Sequence, residues 1–245
     1  MKKKEIFVDV SPEKMQIRNY DPYLTVASTQ VGWGDSKNDY LIVPKNEYRA
    51  FLKNKLKLSQ YKCNALIKVY IDLDMIKEDK DYYYFYPART RFISLTIPTA
   101  VYFLDNLSDF VFKVYCWLLD KYELHLKYYK NGENFFFSKI QLLEGIGYTK
   151  GTKVWAQTIN ALNTLEELGF IKYNHEAVGK PGKHGTYLEL YWVNKYGSVQ
   201  VKANKDLIKE FEGQELDDET KMRAITWNKE ELKAIESGKK IYELN

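Results

Sequence analysis

Lys153, Gln157 and Asn160 stand at i, i+4 and i+7, so a helix through them sets one ammonium and two amides on a single face. Those groups can read base edges: lysine donates to guanine O6 and N7, and glutamine or asparagine pairs with adenine through two hydrogen bonds. Lys150 and Thr152 precede them and complete the amino-terminal part of that face. The same chemical types recur earlier in the chain as Ser59, Gln60, Lys62 and Asn64. A third group, Lys180, Lys183 and His184, lies with His175 among Gly179, Gly182 and Gly185. A mobile basic hairpin of this kind suits phosphate or minor-groove contact. An ordinary solvated surface loop explains the same residues.

Catalytic constellations are missing from the sequence. The histidines are His125, His175 and His184; the first falls near a helix end, and the other two lack the tight spacing of a metal site. No histidine–hydrophobe–histidine triplet is present, and no glycine-rich stretch ends in Gly-Lys-Ser/Thr, so neither a nickase nor an ATP-driven motor is indicated. The 21 tyrosines are nucleophiles by number only, because nothing places a base or metal beside one. The expectation is a chain with no enzymatic activity, no cofactor, no catalytic residue and no metal. Cys63 and Cys116, each inside an apolar helical pattern, read as buried thiols.

The elements that must position these groups occur as a repeat. In the clearer copy, residues 108–126 form an amphipathic helix in which Phe110, Val114, Trp117, Leu118 and Tyr122 recur at helical spacing, with Ser108 as its cap. Phe135-Phe136-Phe137 can pair as a strand, and Ser138 caps a short helix over 139–145. A turn at Gly147 and Tyr148 precedes a helix from Thr149 to about Leu168, stopped by Gly169. In that helix Ile159, Leu162 and Leu165 face a core, and Trp155 reads as a core or interface aromatic. Residues 170–173 and 186–193 are strands on either side of the loop 174–185. The looser copy runs through a helix over 21–31, a strand over 40–43, a helix whose first turn holds Pro44, and a helix from Gln60 to about Leu73 capped by Ser59. Met75 and Ile76 lead into the turn 78–81, and residues 82–86 return as a strand. Leu73 and Leu168 lie 95 residues apart and Pro44 and Ser138 lie 94 apart, so two separate markers agree in offset. Asp74 stands where Gly169 does, and aspartate tolerates the left-handed backbone better than most residues.

The order helix, strand, helix, turn, helix, strand, wing, strand is that of a winged helix-turn-helix. The expected fold is α+β, mainly helical, with two tandem winged helix-turn-helix domains: 1–88 with an amino-terminal arm, 89–195, and a polar tail 196–245 holding short helices. The apolar stretch 92–97 makes the link between the units an ordered one.

Net charge is +4 over 245 residues, only mildly basic. Its distribution says more. Residues 44–70 carry seven basic side chains against one acid, Glu47, whereas residues 203–245 carry eight basic against eleven acidic. A basic stripe with a separate acidic end fits a nucleic-acid face and a partner-binding or solvated tail, although a solvated helix face explains one such stripe equally well. No apolar run approaches the roughly 18–20 residues that span a bilayer, and the charged start Met1-Lys2-Lys3-Lys4-Glu5 lacks the apolar core of a signal peptide. A cytoplasmic protein with no membrane contact is expected.

With its lead-in Ile97-Pro98-Thr99-Ala100-Val101-Tyr102 and the helix Phe112-Lys113-Val114-Tyr115-Cys116-Trp117-Leu118-Leu119-Asp120, the second unit resembles the amino-terminal winged helix of replication initiators from theta-replicating plasmids and phages of Gram-positive bacteria. The match covers about residues 97–193 and, more weakly, 21–86; the first hundred residues depart from initiators with a single winged helix. The resemblance implies sequence-specific binding of double-stranded DNA at origin repeats, contact with host replication proteins, and autoregulation, with a homodimer as one arrangement. A transcriptional regulator of a phage or mobile element, binding an operator, uses the same contacts. A segregation or interaction protein is the third reading, and the basic stretch 44–70 argues against it.

Overall fold

Short runs of β-branched and aromatic residues alternate along this chain with amphipathic helical stretches, and the described residues, 7–17, 19–34, 40–86, 92–129, 135–149, 151–179 and 185–193 of a computed structural model, follow that alternation. They form an α+β arrangement, roughly half of it helical. In chain order the elements are β1 (Phe7–Val10), α1 (Tyr23–Val31), β2 (Trp33–Gly34), β3 (Leu41–Pro44), α2 (Lys45–Lys55), α3 (Gln60–Asp72), β4 (Ile76–Glu78), β5 (Tyr82–Phe85), β6 (Ile93–Thr96), α4 (Ile97–Asn106), α5 (Asp109–Tyr128), β7 (Phe135–Phe137), α6 (Lys139–Gly145), α7 (Thr152–Glu167), β8 (Ile171–Tyr173) and β9 (Leu188–Val193). No helix among the described residues is long and apolar enough to cross a membrane.

Contacts gather the described residues into two compact units, one holding those within 7–121 and 139–161, the other those within 122–138 and 162–193. In the first unit, β1 pairs antiparallel with β6, and a four-stranded antiparallel sheet runs in the order β2-β3-β5-β4. Alternation along β5 explains its two faces. Tyr83 and Phe85 are buried with Val43 and Ile76, while Tyr82 and Tyr84 are half-buried on the other side. There Tyr84 meets Tyr40 edge-on and Tyr82 meets the exposed Trp33.

The core of this unit is rich in tyrosine, and each buried hydroxyl needs an acceptor. Tyr48 donates to the Leu24 carbonyl at 2.7 Å and Tyr70 to the Asp21 carbonyl at 2.7 Å. The Tyr23 hydroxyl lies 2.6 Å from the Phe103 carbonyl and 2.9 Å from that of Leu107, and its ring stacks on Phe112. These bonds fasten α1 and the residues just before it to α2, α3 and the α4 region at defined points. Cys63 and Cys116 are both buried thiols. Gly145 in α6 lies so close to Trp117 that a Cβ there would sit 1.9 Å from its Nε1.

In the second unit, β7, β9 and β8 form a three-stranded antiparallel sheet in that order. Leu162, Leu165, Phe170, Ile171, Leu188 and Leu190 supply its core.

Apart from the two-residue edge strand β2, which has no counterpart, the element order α1-β3-α2-α3-β4-β5 matches α5-β7-α6-α7-β8-β9, and the strand order β3-β5-β4 matches β7-β9-β8. Both long helices end alike. In α3 the Asp74 N–H bonds to the Ile71 carbonyl and the Met75 N–H to that of Tyr70; in α7 the Gly169 N–H bonds to Glu166 and the Phe170 N–H to Leu165. Each is a Schellman closure, requiring a left-handed residue. Asp74 has φ +54° and Gly169 φ +72°. Asp74 therefore takes the backbone shape of its glycine counterpart.

Several boundaries differ from those read in the sequence. Pro44 ends β3 in extended conformation, and α2 begins one residue later. Ile76 does not merely lead into a turn but opens the strand β4. The stretch 92–97 is a strand paired with β1 followed by the start of α4, and neither partner was anticipated. The α7 helix starts at Thr152 rather than Thr149. Ile159 is half-buried, unlike the fully buried Leu162 and Leu165. The link near residue 88 and the tail 196–245 lie outside the described residues.

Candidate nucleic-acid interface

Ser59 fixes the start of α3, its Oγ accepting the Lys62 N–H at 3.3 Å. Cys63, Ile67 and Tyr70 are buried along one side of this helix. By helical period Tyr61, Ala65 and Lys68 are exposed on the opposite side, Asn64 is exposed beside them, and Gln60 is exposed in the first turn, at the open end of the buried stripe. Lys62 is exposed on the flank of α3. Tyr61 is 84% exposed, and nothing in its spacing along the sequence sets it apart from a core aromatic. Gln60 Nε2 donates to Asn64 Oδ1 at 3.2 Å, so two of the residues read as base contacts already hold one another.

The turn leading into α3 passes through Lys57 at φ +54°, exposed between α2 and the capping Ser59. The basic stretch 44–70 is only partly available to a ligand. Lys45 pairs with Glu78 at 2.6 Å, Lys55 pairs with Asp105 at 2.7 Å, and Arg49 donates through Nε and a terminal nitrogen to the Tyr83 hydroxyl at 3.0 and 2.8 Å. Lys53, Lys57, Lys62 and Lys68 are exposed and form no ion pair with a described residue. The spent charges lie in α2 and the available ones concentrate toward α3, a partition that a count along the sequence could not make.

The turn between β4 and β5 is held rigidly. Asp79 accepts the N–H groups of Asp81 and Tyr82 at 2.8 Å each, and the Tyr84 hydroxyl as well. The Tyr84 hydroxyl bond and the two N–H bonds hold the Asp79 carboxyl below the usual aspartate range. This acidic tip is a poor place for a phosphate.

Within the first unit, Lys153 and Gln157 are exposed on α7, as is Asn160. The three share the solvent side that the i, i+4, i+7 spacing predicts. Trp155 is half-buried, with the Lys139 ammonium 4.9 Å from its ring centre. Lys150 and the side chain of Thr152 lie outside the described residues, as do Lys180, Lys183 and His184.

In the second unit, Glu166 organises the base of the loop that follows β8. Its carboxylate meets Lys172 Nζ at 3.0 Å and His175 Nε2 at 2.6 Å. Burial pushes the carboxyl up, but bonds from Lys172, His175 and the Tyr173 N–H outweigh it and hold Glu166 below the ordinary glutamate value. Tyr173 adds a hydroxyl bond to Asn163 Oδ1 at 2.6 Å. His175, read as part of a basic hairpin, is thus tied down at the loop's first residues. No protein-family model, curated protein or solved structure matches the chain.

Proposed function

We propose that the chain is a non-catalytic, sequence-specific binder of double-stranded DNA built from two winged helix-turn-helix segments. The observation that carries this reading is α3, a helix capped by Ser59 that leaves two amides, an aromatic ring and two lysines exposed around its outer side and follows a tight turn from α2. In a helix-turn-helix the second helix lies in the major groove with its amino-terminal residues at the base edges. Gln60, Asn64 and the flanking Lys62 are the groups α3 would present there. The shared element order and strand order of the two halves support the same assignment for α7, with Lys153, Gln157 and Asn160 as its contacts. The resemblance to plasmid and phage replication initiators extends the proposal to repeated sites in an origin.

Duplex binding measured across a salt series tests it. Neutralising phosphates with lysine gives a slope of about 0.9 in log affinity per contact. Replacing Lys57, Lys62 and Lys68 together by alanine lowers affinity for every duplex and flattens the slope by two to three units on that scale. An unchanged slope removes α3 and its turn from the contact surface.

A further inference from the structure

Resting on that reading, we infer that α3 reads an A·T base pair, with Asn64 held by Gln60 against the adenine and Tyr61 with Ala65 against the thymine methyl. The exposed face of α3 carries two parallel pairs, each four residues apart. One is polar, Gln60 and Asn64, joined by the 3.2 Å bond. The other is apolar, Tyr61 and Ala65, both exposed. An A·T pair presents N7 as acceptor, N6 as donor, O4 as acceptor and then a methyl group across the major groove. A primary amide beside an apolar strip complements that sequence of groups.

The Gln60 bond decides which amide atom does what. Asn64 Oδ1 accepts from Gln60 and keeps its second lone pair for the adenine N6 hydrogens, and Asn64 Nδ2 is left to donate to N7. Against a G·C pair the same carbonyl would face guanine O6, acceptor against acceptor. Tyr61 stands 84% exposed, and a thymine methyl group would give its ring an apolar partner. Lys68, two turns on from Tyr61, lies on the same face and extends the positive charge along it.

The test uses the full chain and the duplex it selects from a random library, with single adenines replaced by 7-deazaadenine and single thymines by uracil. One adenine position is expected at which losing N7 weakens wild-type binding about ten-fold or more, while Asn64→Ala, already weaker, is indifferent to the change. One neighbouring thymine is expected at which losing the methyl weakens the wild type about four-fold and Tyr61→Ala not at all. Equal weakening of both variants on selected and scrambled duplexes, or sensitivity to every modified base identical to the wild type's, overturns the A·T assignment and leaves duplex binding standing. Failure to select any duplex overturns both. The substituted side chains are exposed, and circular dichroism of each variant separates lost contact from lost fold.

Discussion

Asp74 and Gly169 show how one backbone need is met by two residue types. Both close a helix in the left-handed region, and a non-glycine residue there is disfavoured by roughly 1–2 kcal/mol. Gly169→Ala is therefore expected to lower stability by about 1 kcal/mol, and Asp74→Gly to be neutral or mildly stabilising, in urea titrations. Equal destabilisation by both changes would contradict the shared closure. At Gly145 the constraint is space: Gly145→Ala drives a methyl into the Trp117 ring and is expected to cost about 3 kcal/mol or more, read as a lowered midpoint. Asp21 titrates in an unusual range, because burial pushes its carboxyl up to about 6, with the Asp109 carboxylate adding to the rise. The folded chain then holds that proton more tightly than the unfolded one. The stabilisation is complete below about pH 4 and is lost as pH rises through about 6. Asp21→Asn, which keeps the acceptor for the Tyr23 N–H, removes this loss. Its stability advantage over wild type is expected to grow between pH 4 and pH 7; a constant difference would refute the assignment. The Asp74 equivalence was legible from spacing alone. Asp21 was not, because nothing in Tyr20-Asp21-Pro22 tells that the carboxyl faces Asp109 and Lys113, some ninety residues on.

At the scale of elements, helices with strong punctuation were the legible ones. The α6 bounds and the β7 strand follow from Ser138, Gly145 and three consecutive phenylalanines, and the Ser59 cap sits where its type and position predict. Ser59→Ala is expected to cost about 1 kcal/mol, with α3 protons exchanging faster. The pairing of β1 with β6 escaped because a four-residue apolar run carries no mark of its partner when the two lie some ninety residues apart. The helical face of α7 was legible by period, since Lys153 and Gln157 are exposed while Leu162 and Leu165 turn to the buried side. Lys153→Ala combined with Gln157→Ala is expected to weaken binding to a selected site with little change in scrambled-duplex affinity or in melting. Unchanged affinity for the selected site would remove this face from the proposal. On α3 the amides and Lys62 were legible as polar residues near a cap, whereas Tyr61 was not. A tyrosine at that spacing is as consistent with a core position, and only its exposure distinguishes the two.

Over the whole molecule, charge is the property that a linear reading overstates. The stretch 44–70 looks uniformly basic, yet Lys45, Arg49 and Lys55 are engaged with Glu78, Tyr83 and Asp105, residues distant in sequence. What remains is centred on the turn and α3. The loop lysines Lys180 and Lys183 belong to the same account. Replacing both by alanine is expected to weaken binding to all duplexes and to lower the salt slope by about one unit per lost phosphate contact. The central claim is specific duplex recognition, and selection of bound DNA from a random library at physiological salt with non-specific competitor tests it most directly. Enrichment of a defined motif, recurring in repeats with A·T pairs inside it, is the expected result. Salt-sensitive retention of DNA with no enriched motif would contradict the account.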